Sequence, residues 1–576
     1  MNKLWLLTAL CSTSLILGCS QNNDAGIVEQ ETAELQPTAN STLDNIPDSG
    51  VKVSDGPKFD LLTTPVGEID FPNTCSTEAG VLVERGVALM HNMMYREAKF
   101  VFSMADDADA DCAMAYWGQA MTQIHPLWQD NLNAEEYARG LELTKKAQSI
   151  ADTTQREKQY FKAAEVFYAG GPSQTMKEGY VNMSRVWNET STSMPNDMDA
   201  KAFNALFKIA IAKTENDREE AGQLALDILQ EMSNHPGGHH YVIHAFDTAN
   251  LAGKALTTAD HYGEITPAVT HASHMLTHTY TRLGKWSKAI KWNDISADSA
   301  IELCIANGAV NSHYPHAMDY LMYAHLQKGD DVSAARIQKE MFSLDILEFE
   351  RAGRSAISYA YSAIPVRYVL ERKDWTSAIT LAPRMPAHFP WADEHDREVS
   401  NTHFARALAF SRLGRADEAN EDIEILSQMG KNMTGVKPLA KSQDKIEVQV
   451  LTVKAWQQYA NGKIEAALSM MKQASDRDAV TTNSASGPGD MLPAEELYAD
   501  MLLDQSRLAE AHDAYKLALV RTPGRYNRIY GAGKTAFEMG DTEVAQQYFN
   551  MLLKNTEGAV SSRPSLDEVR RLIAAI

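Results

Sequence analysis

The chain has 576 residues, 44% apolar and 23% charged, which is the make-up of a globular protein long enough for several domains or one extended repeat array. Its 54 basic residues against 76 acidic ones leave a formal charge of −22, which argues against nucleic acid as a partner and favours cations or basic ligands. At the start, MNKLWLLTALCSTSLILGCS places Lys3 before an apolar run too short to span a bilayer, ending at Ile16-Leu17-Gly18-Cys19, and residues 1–18 read as a secretory signal. Residues 19–57 are polar and acidic without helical or strand periodicity, and read as a disordered tether. Export permits disulfides. With Cys11 and Cys19 set aside, Cys75, Cys112 and Cys304 remain; Cys75 and Cys112 bracket the first helical unit and are either a bridge or two small buried thiols. Without CxxC spacing, the three do not make a zinc–thiolate site.

The end of the signal resembles that of bacterial lipoproteins, in which the cysteine after a small residue is lipidated and becomes the mature N-terminus. The resemblance implies acyl chains on Cys19, a membrane anchor and, with Ser20 rather than Asp next to it, an outer-membrane lipoprotein facing the periplasm. An ordinary cleaved signal with Cys19 as a spare thiol is the other reading.

Beyond the tether the pattern is helical throughout and no sheet is expected. It is clearest near the C-terminus, where EELYADMLLDQSRLAEAHDAYKLALVRTP aligns with YGAGKTAFEMGDTEVAQQYFNMLLKN at an offset of 34 residues. Ala511 then falls on Ala545, Tyr515 on Phe549 and Ala518 on Leu552, in two pairs of amphipathic helices with a turn such as Met539-Gly540-Asp541. Pro523 closes a unit. This resembles the tetratricopeptide repeat (TPR), with small residues at positions 8 and 20, Gly at 15 and an aromatic at 24. The frame recurs in Gly86, Ala98, Phe102 and Ala105, in Tyr280, Gly284 and Ala289, in Gly329 and Ala334, in Ala407, Gly414 and Ala419, and in Ala455, Gly462 and Ala467. The resemblance covers most of residues 79–555 and implies an all-α superhelix of helix–turn–helix units, an α-solenoid, whose first helices line a concave groove. The expected organisation is N-terminal helical repeats over 58–232, a His-rich TPR-like middle over 233–480 and a C-terminal TPR pair over 481–576. Within the last, the Gly-Pro-Gly around Gly487 is read as a connecting loop.

Two stretches hold seven of the 17 histidines: HPGGHHYVIHAFD (235–247) and HASHMLTHTY (271–280). His271, His274 and His278 lie three and seven residues apart on one helix face, and in the repeat frame that face is turned to the groove. Pro236 and its glycines suit a helix start, after which His240, His244 and Asp247 form a second stripe. His239 points about 100° away from that stripe and His235 precedes the helix. If both are first helices of adjacent repeats, five imidazoles and one carboxylate converge. Such a set suits zinc, copper, iron or manganese without distinguishing them, with Asp247 either a ligand or an acceptor that orients a histidine. A structural hydrogen-bonded cluster and a pH switch are the competing readings. Further groove residues are His235, His91, His125, His316 and Asp319, with Tyr323 on the same strip, while His403 falls in the packing. Tyr241 and Tyr280 lie near the cluster and are read first as core.

The blocks DCAMAYWGQAM, HPGGHHYVIHAFD, HASHMLTHTYTRLGKW and HYPHAMDYLMYAHL also resemble exported bacterial TPR proteins carrying HPGxxHYxIHAxD and HxxHMxxH motifs. The chain keeps His235, His240, His244, Asp247, His271, His274 and His278 on those motifs, and departs at Leu276-Thr277, where Pro-Ser is commoner. The match marks these residues as a unit without implying a reaction.

Three functions stay open: a lipid-anchored protein holding transition metal for storage or delivery, a metal-free scaffold whose groove takes a peptide or another envelope protein, and a metal-dependent enzyme. No nucleophile elbow, HExxH, P-loop or dinucleotide fingerprint supports a particular enzyme class.

Overall fold

The computed structural model describes residues 58–576, apart from 129, 347, 351–352, 434–439 and 481–486. The signal, the tether, Cys19 and the residues just before the expected loop around Gly487 therefore lie outside the described residues.

Twenty-five α-helices follow one another along the described residues, and the nearest approach to a strand among them is a single bridge between Val310 and Phe349. The first eight are α1 (Thr77–His91), α2 (Tyr95–Ala108), α3 (Ala113–Met121), α4 (Ala134–Ser149), α5 (Gln155–Tyr168), α6 (Met176–Ser193), α7 (Met198–Ile211) and α8 (Glu215–Glu231). The histidine blocks fall in α9 (Pro236–Ala245), α10 (Leu256–Ile265), α11 (Thr270–Arg282), α12 (Trp286–Asn307), α13 (His313–Gln327) and α14 (Asp331–Phe342). Then come α15 (Gly353–Glu371), α16 (Trp375–Ala378), α17 (Asp396–Arg412), α18 (Asn420–Asn432), α19 (Ala440–Ala460) and α20 (Ile464–Val480). The last are α21 (Ala494–Asp504), α22 (Leu508–Arg521), α23 (Tyr526–Glu538), α24 (Thr542–Asn555) and α25 (Pro564–Ala575). None of these helices is long and apolar enough to cross a membrane.

Local chemistry sets the helix starts. Asn133 with Glu136, Thr154 with Glu157, Thr175 with Glu178 and Thr214 with Asp217 form reciprocal capping boxes at α4, α5, α6 and α8. At α9 Pro236 occupies the first turn, and the His235 ring caps it by accepting from the Gly238 N–H at 3.1 Å.

Each helix packs mainly on its neighbours in sequence, as helix-pair repeats do. The repeat residues are where the pairs touch. Ala511, Tyr515, Ala518, Ala545, Phe549 and Leu552 are all buried, and a Cβ on Gly86 would stand 2.8 Å from the Phe102 ring. That close approach is why α1 meets α2 through a glycine. Cys75 and Cys112 are disulfide-bonded, tying the entry of α1 to the entry of α3. Cys304 is a free, buried thiol, pushed up to about 12 by burial.

The C-terminal repeats fold back on the middle. Gly284, at φ +65°, packs against the Pro523 carbonyl, and the Trp286 indole N–H donates to the Gly524 carbonyl at 2.8 Å. Beneath this seam Arg525 is buried between Glu371 at 2.6 Å and Glu496 at 2.5 Å, while its Nη1 donates to the Tyr323 hydroxyl at 2.9 Å. The described part of the loop after α20 also docks: the Gly489 carbonyl accepts from Arg367 Nη2 at 2.8 Å.

Candidate metal centre

The first helices α9, α11 and α13 lie side by side, each turning its histidine stripe toward the next. His240 and His244, one turn apart on α9, meet His271 at the start of α11; each offers a ring nitrogen, and all three nitrogens lie within 4.8 Å of one another. One turn further along α11, His274 and His278 meet His316 of α13 under the same limit. The expected convergence thus resolves into two three-imidazole groups, with α11 contributing to both.

These side chains do not line an open groove as the repeat frame had led us to expect. His240 is 0% exposed, His274 2%, His278 3% and His271 7%, because neighbouring stripes pack on each other and the Trp128 ring lies 6.1 Å from that of His271. His244, His313 and His316 are half-buried and mark the side nearest solvent.

Hydrogen bonds assign the protons. His240 Nδ1 donates to the His91 carbonyl at 2.7 Å, leaving its Nε2 with a free lone pair. The Nε2 atoms of His240, His244 and His271 are all buried and lack a hydrogen-bond partner. In the second group the Asn293 amide donates to the Ala289 carbonyl at 3.0 Å, so its oxygen is free to accept from His274 Nδ1 at 2.8 Å. His278 Nδ1 donates to Asp247 at 2.9 Å. The Nε2 atoms of His274 and His278 then face each other at 2.9 Å. Tyr320 stacks on the His278 ring and stands edge-on to that of His274.

Burial drives His240 and His316 down to about 3 and His313 to about 4, and holds His244, His271 and His274 well below the ordinary histidine range, with neighbouring imidazoles adding to the effect around His244, His271 and His274. Neutral imidazole is the metal-binding form. Burial alone would raise the Asp247 carboxyl, but Arg282 and His278 hold it well below the usual carboxylate range. Both Asp247 oxygens are engaged, one by His278 and the other by Arg282 Nε at 2.8 Å. Asp247 therefore stands one bond out from the imidazoles, in the orienting position.

The remaining sequence candidates divide. His91 and His235 meet Asp199, a residue that no spacing had marked. There the Tyr241 hydroxyl donates to His91 Nδ1 and His91 Nε2 donates to Asp199, both at 3.0 Å, while the Gly238 N–H occupies His235 Nδ1. Burial opposes ionisation of Asp199, yet His235 and His91 keep its carboxyl far down. The Nδ1 lone pairs of both rings are thus used, while His235 Nε2 and Asp199 Oδ2 stay buried without a hydrogen-bond partner, and the His91 carbonyl of this group accepts from His240. His125 pairs with Asp130 and stacks on Tyr95. Asp319 is a buried partner of Arg367 at 2.7 Å, and Tyr323 receives Arg525. Tyr280 donates to Asp260, His239 turns its Nε2 to the Ser233 carbonyl, and His403 packs with Asp422. His313 was missed, although HxxH from 313 to 316 places both on one face of α13.

No protein-family model matches this chain, and no curated protein does. Among solved structures, it resembles the complex titled Naa15/Naa10 bound to HypK-THB at 9% identity, covering 86% of this chain and 91% of that one, with a TM-score of 0.24. It also resembles the TPR domain of P58(IPK) at 11% identity, covering 87% and 99%, with a TM-score of 0.21.

Proposed function

We propose that the protein binds transition metal in the buried imidazole cluster held between α9, α11 and α13. The observation that carries this reading is the trio of Nε2 atoms on His240, His244 and His271, each buried and without a hydrogen-bond partner, in a group whose ligand atoms converge within 4.8 Å. Buried polar atoms are normally satisfied; the His240 Nδ1 bond leaves a lone pair on its Nε2, and one cation would satisfy it together with a ring nitrogen from each of His244 and His271. The His274–His278 contact supports the same reading, since two imidazole lone pairs at 2.9 Å repel unless a proton or a metal ion lies between them. Metal–nitrogen bonds of about 2.0–2.1 Å hold two ligands roughly 3.3–3.5 Å apart, so side-chain rotations of well under an ångström fit this pair to an ion.

The setting we propose is the cell envelope, with Cys19 lipidated and the helical array facing the periplasm, for metal storage, delivery or metal-dependent chemistry. The lipoprotein-like end of the signal supports the anchor. Intact-mass analysis of the mature chain tests it: acyl mass on Cys19 is expected, and an unmodified N-terminus after cleavage overturns it.

Metal analysis of the purified chain and of the His244→Ala, His274→Ala double variant tests the binding. Stoichiometric metal that is lost in the double variant is expected. A chain that stays metal-free after reconstitution with zinc, copper, iron and manganese overturns the proposal and leaves a scaffold for another envelope protein or peptide.

A further inference from the structure

The two imidazole groups are not separate sites strung along a helix. Within the first group the His244 and His271 rings are 6.4 Å apart, and within the second the His278 and His316 rings are 6.0 Å apart. Across the divide, His271 to His274 is 6.4 Å and His244 to His278 is 6.5 Å. The closest cross-group pairs thus match only the widest within-group ones, the other pairs inside each group lying between 4.4 and 5.1 Å. The groups abut through His271–His274 and His244–His278, and two ions seated in them fall within reach of one small shared ligand, as in two-metal sites about 3.5–4 Å apart.

The donor set narrows the chemistry. Dinuclear iron and manganese centres in helical proteins are built on several glutamates, and no carboxylate joins either imidazole triad. The nearest acid, Asp247, is committed to His278 and to Arg282, whose charge offsets its own. Six imidazoles supply no negative charge, so two divalent ions here would retain their full charge and demand an anion from solution. Imidazole nitrogen suits copper, and copper(II) heads the affinity order of the divalent series. The half-buried His244, His313 and His316 lie on the side from which such an anion can enter.

We infer that His240, His244 and His271 with His274, His278 and His316 form one dinuclear copper centre that takes a small bridging anion such as hydroxide or azide. This rests on the metal-binding reading above and adds to it the number, the identity and the coupling of the ions.

The test loads the full metal-free chain with copper(II) and compares copper content with the electron-paramagnetic-resonance spin count. Two coppers per chain with most of the spin missing are expected, because an anion bridging the ions couples their unpaired electrons; added azide should bring a new charge-transfer absorption. His316→Ala should hold one copper and show its full spin, and His244→Gln should do the same from the other group, so the result does not rest on one variant folding. Two coppers showing two full spins, or a single copper in the unaltered chain, overturn the dinuclear centre while metal binding stands. No copper bound, with another metal bound stoichiometrically, overturns the copper assignment alone; no metal at all overturns the reading beneath it.

Discussion

His274 and His278, one turn apart on α11, point their Nε2 atoms at each other across 2.9 Å, while their Nδ1 atoms are turned outward to Asn293 and Asp247. Each outward hydrogen bond fixes a tautomer, and each tautomer leaves a lone pair on the inward nitrogen. The pair is therefore organised by its acceptors to surround positive charge. A structural cluster of neutral histidines would instead pair donor with acceptor inside the group.

It follows that Asn293 governs the second group without touching metal. Asn293→Ala leaves the buried His274 Nδ1–H without its acceptor and frees the ring to turn over, and loss of such an orienting partner weakens metal binding by about 10–100-fold. Competition against a chromophoric chelator should show one class of ion weakened and the class held by His240, His244 and His271 unchanged. Equal affinity for both classes in the variant would show that the acceptor has no orienting role.

Acid should destabilise the metal-free chain. His240, pushed to about 3 by burial, and His239, pushed to about 4, both lie below the unfolded histidine value of about 6.5. Between those limits the unfolded chain binds more protons than the folded one, so the stability is present above about pH 6.5 and is lost as pH falls toward the folded values. Each such histidine costs about 2 kcal/mol between pH 7.5 and pH 5. Urea unfolding of the metal-free chain at the two pH values measures the loss, and an unchanged midpoint contradicts the neutral, buried state of these rings.

How much of this was legible in the sequence depended on whether the information was local. The stripes on α9 and α11 follow from spacings of three, four and seven residues, and Gly284 and Gly414, which the repeat frame puts at position 15, sit at turns with positive φ. Which histidines share an ion was not legible, because the rotation of α11 against its neighbours hands His271 to α9 and His274 with His278 to α13. Asp199 gave no signal: a single acid in the first turn of α7 looks like any helix-start residue until His91 and His235 arrive from more than thirty positions away. The frame also located a concave face without saying what covers it, which is why burial of the imidazoles went unforeseen.

Reduction should loosen the N-terminal end. The Cys75–Cys112 bridge closes a loop with a sequence separation of 37, and the chain-entropy relation assigns a loop of that length about 4 kcal/mol. The Cys75→Ala, Cys112→Ala double variant should unfold at a lower urea midpoint than the oxidised chain, and the reductant that lowers the oxidised chain's midpoint should leave the variant's in place. Coincident curves with and without reductant for the unaltered chain would mean that the bridge contributes nothing to stability.

Gly284 offers the sharpest test of how the C-terminal repeats are seated. Any side chain there meets two separate penalties. One is the left-handed backbone at φ +65°, worth about 1 kcal/mol for a non-glycine residue. The other is the Pro523 carbonyl, 2.2 Å from where a Cβ would stand, which is main chain and cannot rotate aside. Relieving that clash moves the Pro523–Gly524 turn and stretches the bond from Trp286 to the Gly524 carbonyl. Gly414 has nearly the same turn geometry, at φ +73°, but open space around it, so Gly414→Ala carries only the backbone penalty. Gly284→Ala should therefore cost about 2–3 kcal/mol against about 1 for Gly414→Ala, and should expose the chain near Pro523 to proteolysis. Equal losses in the two variants, with unchanged proteolysis, would show that the α23–α24 pair is not held against α12 through this contact.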